Sequence, residues 1–182
     1  MPDTEQLRCV DERPPLPSWE RLFVEANRWA LVVLMGVMAA LVIANVIARY
    51  GFSFSSTWVE EVARYLMIWA SFLGLGPALR VGGHIAIETL PNALPPAVAR
   101  LLRALLVAIM AATLVAMAWL GIEYAAFGWE QESPVLNWSL GKVYLAVPVG
   151  AALALIHLAC VARSWITGGE WEQIEGFDPQ AL

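Results

Sequence analysis

Residues 29–48 read WALVVLMGVMAALVIANVIA, a run without charge between Arg28 and Arg49 in which Asn45 is the only strongly polar member. A helix crosses a bilayer core in about 20 mainly apolar residues, so this run predicts one crossing. Working outward, residues 62–79, 104–122 and 143–162 meet the same requirement, the second carrying Arg64 near its start. Backbone groups in hydrocarbon must be satisfied within their own segment, which makes helix the default, and the alternation of a membrane barrel strand is absent. The expected fold is an all-α integral membrane protein with four transmembrane helices. A segment 1–28 precedes a membrane domain 29–163, and a polar, acidic tail 164–182 follows it.

Composition supports this reading and removes others. Of 182 residues, 59% are apolar and only 15% charged, with a mean hydropathy of +0.63. Soluble domains are roughly 45–50% apolar. Four crossings leave no room for a catalytic domain, so no enzyme is expected. A net charge of −5 without clustered Lys or Arg excludes nucleic acid as a partner. Cys9 and Cys160 form no metal-ligand spacing and no framework of bridges. The first apolar run is longer than the 7–15 residues of a signal-peptide core and is read as a retained anchor.

Basic residues give the orientation. Arg8, Arg13, Arg21, Arg28, Arg80, Arg100, Arg103 and Arg163 fall on one side of the spans, and Arg49, Arg64 and Lys142 on the other. The side richer in Lys and Arg faces the cytoplasm, so both termini are expected there. Trp29, Trp58, Trp138 and Trp165 then lie near span ends as interfacial anchors, whereas Trp69 and Trp119 fall inside spans and call for a packing partner.

The densest polar stretch is Thr57-Trp58-Val59-Glu60-Glu61-Val62-Ala63-Arg64. Thr57 with Glu60 three residues on has the spacing of a capping box, and Glu60 with Arg64 that of an ion pair on one helix face. Cation binding or proton relay by the two glutamates is the functional alternative. At the other end of this span, Arg80 followed by Gly82, Gly83 and His84 reads as a basic last turn and a glycine cap. His84 and His157 could ligate a b-type haem; hydrogen bonding of His157 to a neighbouring helix is the plainer reading. Small residues four apart, among them Gly36, Ala40, Ala44 and Ala48, could form packing seams, and Pro148 with Gly150 could kink the fourth span. The loop 123–141 is aromatic and acidic, with Trp129, Glu130, Glu132 and Trp138, and offers the largest surface on its side for a partner. There is no phosphate loop, no nucleophile elbow and no charge at mid-depth of any span, so the chain reads as a supporting subunit.

The ordered series Arg49-Tyr50, Trp58-Val59-Glu60-Glu61, Arg64-Tyr65, Trp69, Phe72, Gly74, Arg80 and His84-Ile85, ending in Leu94-Pro95-Pro96, resembles the small membrane (DctQ-like) subunit of tripartite ATP-independent periplasmic (TRAP) transporters. Ser133-Pro134, Trp138 and Val147-Pro148-Val149-Gly150 agree more loosely. The resemblance implies an accessory subunit that braces a large multi-spanning permease subunit in a bacterial or archaeal cytoplasmic membrane. That permease imports an organic acid brought by a periplasmic solute-binding protein. Sodium is then expected on the large partner subunit and no cofactor in this chain. Arg49, Thr57, Trp58, Glu60, Glu61, Arg64, Trp69, Gly74, Arg80 and His84 acquire implied roles in assembly and membrane positioning. Trp129, Glu130, Glu132 and Trp138 become a docking patch for the binding protein, and membrane lipid is the remaining partner. A stand-alone small transporter, an unrelated membrane scaffold and a haem subunit are the competing readings.

Overall fold

A computed structural model describes residues 18–54, 56–82 and 95–168. All regular structure among them is helical: α1 (Ser18–Phe52), α2 (Thr57–Leu73), α3 (Leu75–Gly82), α4 (Pro96–Phe127), a 3-10 turn (Gly128–Glu130), α5 (Gly141–Tyr144) and α6 (Ala146–Gly168). α2 with α3, and α5 with α6, each run on as one interrupted span, so four helical segments are long and apolar enough to cross a membrane. The protein is a multi-pass membrane protein. Its four apolar runs lie inside these helices, which continue beyond them at both ends. Residues 18 and 168 lie at one end of the molecule, the terminal end; the α1–α2 turn and the 128–140 loop mark the other, the hairpin end.

Both interruptions have a proline cause. Pro77 has no N–H to offer the carbonyl of Leu73, and the break between α2 and α3 falls at Gly74. Pro148 likewise leaves the carbonyl of Tyr144 without its helical donor, and the chain turns at Leu145, slightly earlier than the kink expected at Pro148–Gly150. The start of α4 shows the permitted use of proline, Pro96 standing where a helix has no N–H to satisfy.

Neighbours follow the order first span, second span, fourth span, third span: α1 packs on α2 and touches α3, both of these pack on α6, and α6 packs on α4. The fourth span is therefore the covered one. Leu114 of α4 joins Ala151, Ala154, Leu158, Val161 and Trp165 of α6 in the core. Trp165 is 1% exposed, so it is a core residue and not the interfacial anchor its position near a span end suggested. Small residues set the helix separations: a methyl at Gly76 would collide with the His157 imidazole, and one at Gly150 with the Phe72 carbonyl.

α1 contributes a narrow seam. Glu20, Val24, Asn27, Leu31, Leu34, Met38, Leu41, Asn45 and Ala48 recur at alternating spacings of four and three and are buried or half-buried, while the residues between them, apart from half-buried Phe23, are exposed. That is the 3.5-residue period of a coiled-coil face. Of the expected small-residue seam only Ala48 lies on this packed face: Gly36, Ala40 and Ala44 are exposed, and nothing approaches within 4 Å of a methyl placed at Gly36.

Candidate functional site

Polar side chains gather at both ends of the molecule. At the terminal end the α1 seam carries Glu20 and Asn27 inward, and α3 and α6 supply Arg80 and His157. All four are buried, His157 completely. Arg80 forms an ion pair with Glu20 and donates from Nε to His157 Nδ1 at 2.9 Å. The amide nitrogen of Asn27 lies 3.2 Å from His157 Nε2 and donates to the Leu73 carbonyl at 3.3 Å, the one released by Pro77. Phe23 covers the imidazole with ring centroids 4.6 Å apart.

A guanidinium only donates, so Nδ1 accepts and the neutral ring holds its proton on Nε2. Asn27 Oδ1 is buried without a hydrogen-bond partner. Turning that amide over would give the Nε2 proton its acceptor but strand the Leu73 carbonyl, so the site is not fully matched in either orientation. The arrangement binds three spans together.

At the hairpin end Glu61 is the organising residue. It is 4% exposed, accepts from the Tyr65 hydroxyl one turn on, and accepts from the Leu136 backbone N–H at 3.2 Å. Ser133, also buried, closes the loop internally: its N–H donates to the Trp138 carbonyl at 2.8 Å, and its hydroxyl accepts from the Trp138 N–H at 3.2 Å. Asn137 supplies the left-handed residue of this turn at φ 53°, a conformation Asn tolerates better than most residues. Ser139 Oγ donates to the Trp129 carbonyl at 2.8 Å. The loop is thus clamped to α2, with Trp129, Glu130, Glu132 and Trp138 exposed on it.

Nearby, a cleft of about 220 Å³ opens between α1 and α2, with Asn45 and Arg49 on one wall and Glu60 on the other. Asn45 Oδ1 accepts from the Ser56 N–H at 3.2 Å, fixing the turn that brings the helices together.

Several expectations need correction. No capping box forms: Ser56 is the N-cap and bonds no amide through its side chain, and Thr57 already lies inside α2. The cause is the Asn45 contact, which satisfies Ser56 from the neighbouring helix. Glu60 and Arg64 are exposed and form no ion pair within 4.0 Å; water competes there for both charges. Arg80 does more than complement a helix end, since it enters the core. Trp58 is exposed, Trp69 half-buried and Gly74 sits at the helix break. Trp119 is exposed and donates to Glu123 at 2.9 Å. His84 lies outside the described residues.

Glu20, Asn27 and Tyr65 carry contacts that sequence reading did not assign. The signal for the first two was present: the four-and-three spacing of the α1 seam continues backwards from Leu31 through Asn27 and Val24 to Glu20.

Comparison with known proteins gives a consistent picture. The family model for the DctQ component of tripartite ATP-independent periplasmic transporters matches residues 38–168, well over half of the chain. A TRAP transporter small permease protein of Haemophilus influenzae is 40% identical over 65 residues, which is 36% of this chain and 40% of that protein. The ectoine TRAP transporter small permease protein TeaB of Halomonas elongata is 29% identical over 142 residues, 76% of this chain and 74% of its own.

Proposed function

Because the chain belongs to the DctQ component family and is a small membrane subunit of a TRAP transporter, we propose that it braces a large multi-spanning permease subunit without catalysing a reaction itself. The observation that carries this reading is lateral surface. α1 leaves the apolar residues of its outer face open along its whole membrane stretch, among them Val33, Val37, Ile43 and Ile47, although the seam behind them is packed. Helices in lipid associate through close van der Waals packing, and the Gly36-Ala40-Ala44 line on this open face suits such an approach.

In this reading both termini lie in the cytoplasm of a cell with an inner membrane, and the clamped 128–140 loop faces the periplasm. Trp129, Glu130, Glu132 and Trp138 then meet the solute-binding protein. Arg49, Thr57, Trp58, Glu60, Glu61, Arg64, Trp69, Gly74, Arg80 and His84 serve assembly and positioning. Organic-acid selection and sodium binding belong to the permease and binding protein; ectoine appears in the name of the H. elongata relative and is said of that protein alone.

Affinity purification of the full chain from native membranes, followed by mass spectrometry, tests the proposal. The expected result is a large polytopic permease in near-stoichiometric yield. Solute flux from the purified chain alone in liposomes, or purification without such a permease, would overturn it.

A further inference from the structure

The cleft at the hairpin end joins two kinds of chemistry on one axis. Val42 and Val46 on α1 and Val59 on α2 form its apolar part, and Arg49, Tyr50 and Glu60 its polar part. Val42 to Arg49 is two turns of helix, so the lining passes from hydrocarbon to full charge over about 10 Å. Arg49 and Glu60 share the cleft without meeting each other, and among the described residues neither makes a hydrogen bond or ion pair within the chain. A cation and an anion held apart at the rim of a valine-lined slot, at the level where the span ends, are the complement of a zwitterionic amphiphile. The cleft is smaller than the roughly 300–1,000 Å³ of drug-sized pockets, a size suited to a headgroup and the first part of its chains.

We propose that this cleft binds an aminophospholipid, with the phosphate on Arg49, the primary ammonium on Glu60 and the acyl chains against Val42, Val46 and Val59. Phosphatidylethanolamine fits on three counts. Its phosphate takes charge-assisted bonds from a guanidinium; its ammonium donates to a carboxylate, which a quaternary choline cannot do; and its tails continue into the bilayer below. Phosphatidylglycerol offers the phosphate but leaves Glu60 facing a neutral glycerol. The Tyr50 ring at the rim has the amphipathic character that favours headgroup depth. This inference depends on the cleft and on membrane insertion, not on the permease-bracing reading.

The test uses the full-length chain in mild detergent, with palmitoyl-oleoyl phosphatidylethanolamine, phosphatidylcholine or phosphatidylglycerol added and retained lipid read by native mass spectrometry. The ethanolamine lipid should be retained roughly tenfold over the other two, the selectivity of one charge-assisted contact. Arg49→Ala should abolish retention of the ethanolamine and glycerol lipids, Arg49→Lys should restore part of it, and Glu60→Gln should bring ethanolamine down to the level of choline. Helicity by circular dichroism should be unchanged in all three variants, because both residues are exposed and bond to nothing in the chain.

Soluble glycerophosphoethanolamine at equal concentration should fail to displace the lipid; displacement would show a free headgroup site and overturn the amphiphile assignment. Equal retention of the three lipids, or insensitivity to Arg49→Ala and Glu60→Gln, would overturn the proposal. So would unchanged lipid retention in variants that lose a co-purifying permease, since the cleft would then be a protein contact.

Discussion

Arg80 shows how position alone can mislead about a charged residue. Its place near the end of the second span suggested a helix-end cation, and the structure instead buries it to 1% exposure between Glu20 and His157. Buried pairs are weak evidence for added stability, but breaking one strands an uncompensated charge at a cost of about 3–5 kcal/mol. Arg80→Ala is therefore expected to lower the thermal unfolding midpoint of the detergent-solubilised chain sharply. Glu20→Leu combined with Arg80→Met removes both charges and should be better tolerated than Arg80→Ala alone. A double variant as unstable as the single one would mean that the hydrogen bond to His157, rather than the ion pair, holds this end. Asn27 marks the boundary of what sequence could tell: its inward position follows the α1 period, whereas its bond to the Leu73 carbonyl depends on Pro77 in another helix.

At the scale of elements, the four helices were legible because an apolar run of membrane length is a physical requirement rather than a propensity. Their interruptions were half legible. Pro148 announced one, although the turn falls at Leu145, whereas the break at Gly74 comes from Pro77 three residues on, inside a run whose apolar length alone reads as one continuous helix. The capping-box reading of Thr57 and Glu60 failed because a local pattern lost to a tertiary contact, Asn45 taking the Ser56 amide. The 128–140 loop was placed by sequence but its rigidity was not, since that comes from Glu61 bonding to a backbone 75 residues away. Glu61→Gln weakens a charge-assisted bond, so amide exchange at residues 133–138 should speed up by roughly tenfold, the equivalent of about 1.4 kcal/mol of local opening. Exchange unchanged from wild type would show that Ser133 and Asn137 hold the loop without help from α2.

For the whole molecule, the two flanks of the helix row can be tested separately from its core. Gly36 faces open space, so Gly36→Leu should leave the stability of the isolated chain within about 0.5 kcal/mol of wild type, as for a surface change away from special features. It should still reduce recovery of the permease if the open face of α1 is the bracing surface. Full recovery would direct attention to the exposed flank of α4, where Leu105, Ile109, Val115 and Trp119 lie open. Reversing the charges at Glu130 and Glu132 should change transport at limiting binding protein while leaving permease recovery intact. Transport identical to wild type under those conditions would remove the loop from the docking surface.

The order in which the spans touch has one more consequence. Among the described residues α1 and α4 do not pack on each other, so the helices do not close into a ring, and the most covered span is a packed helix rather than the lining of a channel. Among the described residues this packing leaves no lumen between the spans. On the bracing reading, solute is therefore expected to cross within the large permease, beside these helices rather than between them.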